Sequence, residues 1–222
     1  MKKNIVAIED PVEYQIHGIT QVPVKAAIGL TFARILRHVL RQDPDIVLVG
    51  EIRDRETAKI AIEASLTGRL VLSTLHTNDS PSTITRLLEM GIEPYLISSS
   101  LLASIGQRLA RAICPNCQTD FYPPKQVIKE LGFDKEKNLK LIHGRGCTSC
   151  FDSGFKGRLG IHEMLVNEPG LQKLILNNPT IDKLKEYLEK KDFKTMQQDG
   201  YKKVLEGLTT IEEVQMLTVG EE

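Results

Sequence analysis

Residues 46–54 read IVLVGEIRD, and this stretch decides the fold. Two valines and an isoleucine within a four-residue apolar run, entered just after Pro44, suit a buried strand better than a helix. The run then passes through Gly50 into Glu51, Arg53 and Asp54, and residues 55–67 take up helical spacing that Gly68 stops. The same design recurs on both sides. IVAIEDPVE at 5–13 leads a strand over Asn4 to Ile8 into Glu9, Asp10 and Glu13, and LVLSTLHTND at 70–79 leads a strand over Leu70 to Thr74 into His76. The strands over Ile46 to Val49 and Leu70 to Thr74 are expected to be buried. A helix over Thr31 to Gln42 sets Phe32, Ile35, Leu36, Val39 and Leu40 on one face and Arg34, Arg37, His38 and Arg41 on the other, with Thr31 as its N-cap. Another spans Pro81 to Met90 ahead of Gly91. Strands alternating with helices predict an α/β domain with a parallel sheet.

In open parallel sheets ligands bind beyond the carboxyl ends of the strands, so Glu9, Asp10, Glu51 and His76 are expected to converge on one crevice. Acids there can hold magnesium, polarise a water or accept a proton, and a histidine can hydrogen-bond a phosphate. An acid after a strand is by itself more often a turn or cap residue, and a lone histidine a satisfied polar group. Three such strand ends in register carry weight that none has alone.

Lysine plus arginine equals aspartate plus glutamate at 29 each among 222 residues, so no net field draws the chain onto nucleic acid or an anionic membrane. The longest apolar runs fall far short of the roughly 20 residues needed to span a bilayer. The Met-Lys-Lys start reads as neither signal peptide nor transmembrane helix.

From Cys114 to about Gly160 the texture turns to proline, glycine and lysine with few large apolar residues, too few to bury much core unaided. It holds the four cysteines as two pairs, Cys114-Pro-Asn-Cys117 and Cys147-Thr-Ser-Cys150, with 29 residues between them. Two residues between cysteines let both thiolates face one ion, and four thiolates satisfy tetrahedral zinc without leaving an open position. Iron bound by four thiolates fits the same spacing. Gly146, Gly154 and Gly157 supply turns around the second pair, and His143 is left no place as a ligand. In a reducing compartment this pattern favours metal over disulfides, and a cytosolic origin. Beyond it, residues 171–177, 181–190 and 195–207 have helical spacing, and Thr195 with Gln198 and Thr210 with Glu213 form capping-box pairs. The expected division is 1–110, the α/β part; 111–160, a four-cysteine metal-binding segment; and 161–222, a helical subdomain.

IEDPVEYQIHGITQVPV resembles the aspartate box of the ATPases that drive type II secretion and type IV pilus assembly. GLTFARILRHVLRQDPDIVLVGEIRDRETAKIAIEASLTG is similar to their Walker B region, and LVLSTLHTNDSPSTITRLLEMGIEP to their histidine box. QRLARAICPNC, GCTSCFDSGFKGRLGIHEML and DGYKKVLEGLTTIEEV continue the likeness in the family's order. The resemblance implies ATP and Mg2+ as cofactors with a structural Zn2+. It implies that Glu51 helps hold the magnesium, and that Glu9 or Glu13 orients the attacking water. His76 would lie near the terminal phosphate, Asp10 at the nucleotide, and Arg53 and Arg55 at the nucleotide or a neighbouring subunit. By the same resemblance residues 1–110 would be part of a RecA-like ATPase domain, and the whole protein a hexameric ring, cytoplasmic and peripheral to the inner membrane, acting on a membrane platform protein; zero net charge and the scarcity of aromatics between the cysteines weigh against nucleic acid as a partner. Retraction ATPases of type IV pili generally lack the cysteine insertion, so an assembly or export motor is expected.

Two departures stand out. Nothing matches G-x-x-x-x-G-K-[ST], the loop whose amides cradle phosphates, and no Gly-Lys pair occurs. The chain therefore reads as the C-terminal half of a larger ATPase, inactive in isolation, with a zinc-stabilised interaction module as the alternative. Arg69 also stands where the family commonly has histidine.

Overall fold

A computed structural model describes residues 3–124, 128 and 139–218. The expected segments 111–160 and 161–222 are thus described in part, with 125–127, 129–138 and 219–222 outside the described residues, as are Met1 and Lys2. The chain forms two compact units, Met1–Ser104 with Leu165–Asp192, and Ile105–Met164 with Phe193–Glu222.

The first unit is built on four parallel strands, β1 (Ile5–Glu9), β2 (Thr20–Pro23), β3 (Ile46–Val49) and β4 (Leu70–Ser73), in the order β2-β1-β3-β4. Ile8, Val47 and Val49 are fully buried, as their β-branched side chains suit a covered sheet. Helix α1 (Phe32–Val39) starts where Thr31 Oγ1 accepts from the Arg34 amide, and it buries Ala33, Ile35, Leu36 and Val39. Its expected last turn tightens into a 3-10 turn over Leu40–Gln42. Helix α2 (Arg55–Leu66) is capped by Asp54, which accepts from Thr57 N at 2.8 Å, and it is followed by Gly68 at φ 93°. Helices α3 (Ser82–Glu89), α4 (Pro94–Ser100), α5 (Pro169–Leu176) and α6 (Ile181–Glu189) complete the unit.

Strand β4 is an edge strand, and Leu70 and Leu72 are 40% and 46% exposed rather than buried. An apolar run announces a strand, but the number of neighbours that cover it is a property of the assembled sheet.

In the second unit β5 (Ala103–Ile113) pairs with β8 (Phe155–Val166), and β6 (Gln118–Phe121) runs antiparallel to β7 (Leu141–Gly144). None of these four strands was legible from the spacing. Helices α7 (Met196–Leu205) and α8 (Ile211–Thr218) cover them. Leu139 and Leu141 bury against Val204, Ile211 and Val214, so the cysteine-bearing segment does borrow its core from the C-terminal helices.

The Thr195–Gln198 capping box forms in full. The Thr210–Glu213 pair forms only half of one, because Glu213 N donates to Thr210 Oγ1 at 3.4 Å while the Glu213 carboxylate is taken by Arg111, at 3.0 Å from the amide and 2.5 Å from Nη2. A charged guanidinium and a strand amide outcompete the cap. This hydrogen bonding holds the Glu213 carboxyl below its ordinary value of 4.5, against the opposing effect of burial. A depressed carboxyl contributes stability that is present above its unfolded value and lost as pH falls through the folded one. Thermal unfolding of the second unit should therefore drop in temperature as pH is lowered below about 4.5. Glu213→Gln should abolish most of that dependence and cost about 2 kcal/mol at neutral pH, as read by denaturant titration.

Candidate functional site

Strands β1, β3 and β4 end side by side, so the residues that follow them share one edge of the sheet. Gly50 permits this: a Cβ there would stand 3.0 Å from the Ile8 carbonyl oxygen, against the end of β1. Thr74 ties the next pair of ends, its Oγ1 donating to Gly50 O at 2.6 Å and its carbonyl accepting from Ile52 N at 3.0 Å. The sequence reading missed Thr74, although it stands two residues before His76 in the same run.

Glu51 emerges at this edge with its side chain only 12% exposed. Its Oε2 accepts from Arg53 Nε at 2.5 Å and lies 3.1 Å from His76 Nε2. The Arg53 hydrogen bond, followed after opposing burial by that of His76, holds the Glu51 carboxyl below the usual carboxylate range, so it is ionised at neutral pH. Arg53 is correspondingly raised by Glu51, with a further contribution from Asp10, which brings that acid into the same field. The Asp10–Pro11 peptide is cis.

Glu9, at the end of β1, is partly buried and accepts from Gln21 Nε2 at 2.8 Å. Glu13 is exposed on the loop beyond, with no hydrogen bond or ion pair among the described residues. Arg55 is turned elsewhere: its Nη2 lies 3.6 Å from Glu93 Oε1, and its side chain packs along Gly91. The structure thus gathers Asp10, Glu51, Arg53 and His76, sets Glu9 at the same sheet edge, and draws in neither Glu13 nor Arg55. Arg69 pairs with Asp43 at 3.1 Å, a structural contact.

The second unit carries the cysteines. Cys114 follows β5, its amide donating to Gly154 O at 2.9 Å, and a 3-10 turn over Thr148–Cys150 is capped by Cys147 and ends on Cys150. Gly146, Gly154 and Gly157 all have positive φ. Gly144 and Gly154 touch so closely that a Cβ on the former would lie 2.0 Å from the latter's carbonyl oxygen. The four sulfurs lie within 4.8 Å of one another. Neighbouring pairs stand 3.7, 3.9 and 4.0 Å apart, too far for disulfides. Zinc–thiolate bonds of about 2.3 Å in a tetrahedron require sulfurs about 3.8 Å apart, so the residues fit such an ion. Burial pushes the Cys117 thiol up to about 12, an expense that a bound cation removes. His143 stays out of the cluster, its ring edge-on to Phe121 with centroids 5.6 Å apart.

A parallel sheet that presents acids and a histidine at its strand ends, joined in one chain to a cluster of four thiols that fits a metal ion, defines a RecA-like α/β ATPase fold with a four-cysteine appendage. The chain belongs to the type II/IV secretion system protein family, whose model matches residues 1–216. It is 48% identical over 219 residues to the type IV pilus assembly ATPase PilB of Thermus thermophilus, covering 98% of this chain and 25% of that protein. It is also 48% identical over 216 residues to the type II secretion system protein E of Pseudomonas aeruginosa, covering 97% of this chain and 43% of that one. The chain thus spans less than half the length of these relatives. Among solved structures, the pilus retraction motor PilT with bound ADP matches with a TM-score of 0.70 at 27% identity, over 99% of this chain and 54% of that one. The Legionella pneumophila ATPase DotB shares the fold at a TM-score of 0.66 and 20% identity, over 99% and 52%. No helix among the described residues is long and apolar enough to cross a membrane.

Proposed function

We propose that this chain is part of an ATP-hydrolysing motor that powers type IV pilus assembly or type II protein secretion, working as a hexameric ring in the cytoplasm against an inner-membrane platform protein. The observation that carries the reading is the Glu51 carboxylate, shielded and held ionised between Arg53 and His76 at the sheet edge beside Glu9. Phosphoryl transfer needs positioning and charge stabilisation rather than covalent chemistry, and these groups can supply both. Magnesium, when bound, would supply the positive charge that offsets the phosphates. Glu51 and Asp10 are the acids suited to hold it, Glu51 directly or through water. Glu9 or Glu13 would orient the attacking water by accepting its hydrogen bond, with Glu9 the better held of the two. His76, 82% exposed, is free to turn toward a terminal phosphate, and Arg53 can release Glu51 to meet incoming negative charge. Arg55 remains a candidate for a contact to a neighbouring subunit. Cys114, Cys117, Cys147 and Cys150 would hold one structural zinc that takes no part in the chemistry.

The competing reading is a zinc-stabilised interaction module without catalysis, and the absence of any G-x-x-x-x-G-K-[ST] match in these 222 residues favours it for the chain by itself. Both readings predict that the purified 222-residue chain hydrolyses ATP negligibly, since no amide cradle fixes the phosphates in line and orientation contributes about 7–11 kcal/mol in well-positioned reactions. Magnesium-dependent turnover that survives repeated purification would overturn this expectation. Joining the chain to the preceding portion of a relative such as the Thermus thermophilus PilB separates the two readings. Turnover restored by the fusion and abolished by Glu51→Gln supports the motor, whereas a folded fusion that binds nucleotide without hydrolysing it supports the module.

A further inference from the structure

We propose that Gln21 is a positioning residue that sets the Glu9 carboxylate for its work on the attacking water, an inference that rests on the motor reading above. Gln21 lies on β2 opposite Ala7 of β1, and side chains two apart on a strand share a face, so it stands on the face that carries Glu9. Its amide is engaged at both ends. One Nε2 hydrogen goes to Glu9 Oε1 at 2.8 Å, the other to Tyr14 O at 2.8 Å, and Oε1 accepts from Ile16 N at 2.8 Å. Two donors and one acceptor are thereby fixed by three partners, so the amide has one orientation and cannot flip.

This bracket matters because little else steadies the stretch it grips. Residues 10–18 form neither helix nor strand and are mostly exposed, with Tyr14 at 81%. The one backbone hydrogen bond closing the far side of the loop runs from Ile19 N to Ile16 O at 3.3 Å. Gln21 ties that loop to the carboxylate at the strand end. With Oε1 of Glu9 committed to the amide, the carboxylate keeps one rotamer and offers its other oxygen. Glu13 has no such hold, which makes Glu9 the water-orienting acid of the pair.

Two measurements test this, and they fail separately. In the 222-residue chain, carbodiimide labelling of carboxyl groups read by mass spectrometry should modify Glu13 several-fold faster than Glu9. Gln21→Met, of similar shape but without the amide, should raise the Glu9 rate several-fold and leave Glu13 little changed. Equal rates at Glu9 and Glu13 in the unsubstituted chain, or a Glu9 rate indifferent to Gln21→Met, would overturn the bracket whether or not ATP is hydrolysed. In the phosphate-loop fusion, Gln21→Met should lower kcat about ten- to a hundred-fold with KM nearly constant, as misplacement of an acting group does. Glu9→Gln should lower it further, and the double variant should be no slower than Glu9→Gln alone. Losses that multiply, or a loss confined to KM, would show that Gln21 merely supports the loop.

Discussion

Glu51→Gln, introduced into the fusion that supplies a phosphate loop, should hydrolyse ATP at least about a hundred times more slowly than the parent while keeping its fold. The side chain is nearly isosteric, so the sheet edge keeps its packing, but the amide cannot carry the negative charge that Arg53 and His76 now surround. Both would lose their charge-assisted partner at Oε2, and the field around an incoming magnesium would weaken by a full unit of charge. Far-ultraviolet circular dichroism and nucleotide affinity should change little, because the carboxylate acts on charge that develops during transfer more than on ground-state binding. Hydrolysis within a few-fold of the parent would move the metal role to Asp10 and the aspartate box.

The second large effect concerns the thiol cluster. Protein purified under reducing conditions should contain one zinc or iron per chain, and Cys147→Ser should contain none. Removing one thiolate from a closed four-sulfur site leaves three sulfurs, which no longer complete the tetrahedron that a structural zinc requires. Structural zinc can account for about 10–16 kcal/mol of folding free energy in small zinc modules, more than the whole stability of many domains. The second unit is expected to lose protease resistance over Ile105–Met164 in the variant, and equally in the parent treated with a strong chelator. The strands that carry Glu9, Glu51 and His76 belong to the other unit and should stay folded. Elemental analysis finding no metal, or unchanged proteolysis of Cys147→Ser, would refute a structural ion here.

The first unit was largely legible because its signals are local. β-branched apolar runs, an N-cap threonine at 31 and a stopping glycine at 68 each act within a few residues of themselves. The two C-x-x-C pairs were legible for the same reason, since the spacing inside each pair sets where its two sulfurs point. What escaped has mixed causes. Strands β5 and β8 interleave arginine, glutamine, lysine and histidine with apolar residues and glycines, so their alternation is blurred, and their pairing joins segments distant in the chain. Helix α4, PYLISSS, is short and rich in serine, a weak helix former.

Among the site residues, their kinds and their places after the strands were readable from IVAIED, IVLVGEIRD and LVLSTLH alone, and with them the family. The choice each side chain then makes was not. Glu213 could cap its own helix and instead serves Arg111; Arg55 could reach the nucleotide side and instead meets Glu93; Gln21, which no local pattern singles out, holds Glu9. Leu70 and Leu72 announced a strand without announcing an edge. Secondary structure and metal-knuckle spacing follow from interactions between near neighbours in the chain, which sequence displays directly. A charged or amide side chain takes the strongest partner within its reach, and which partners are within reach is decided only when distant segments have been packed together.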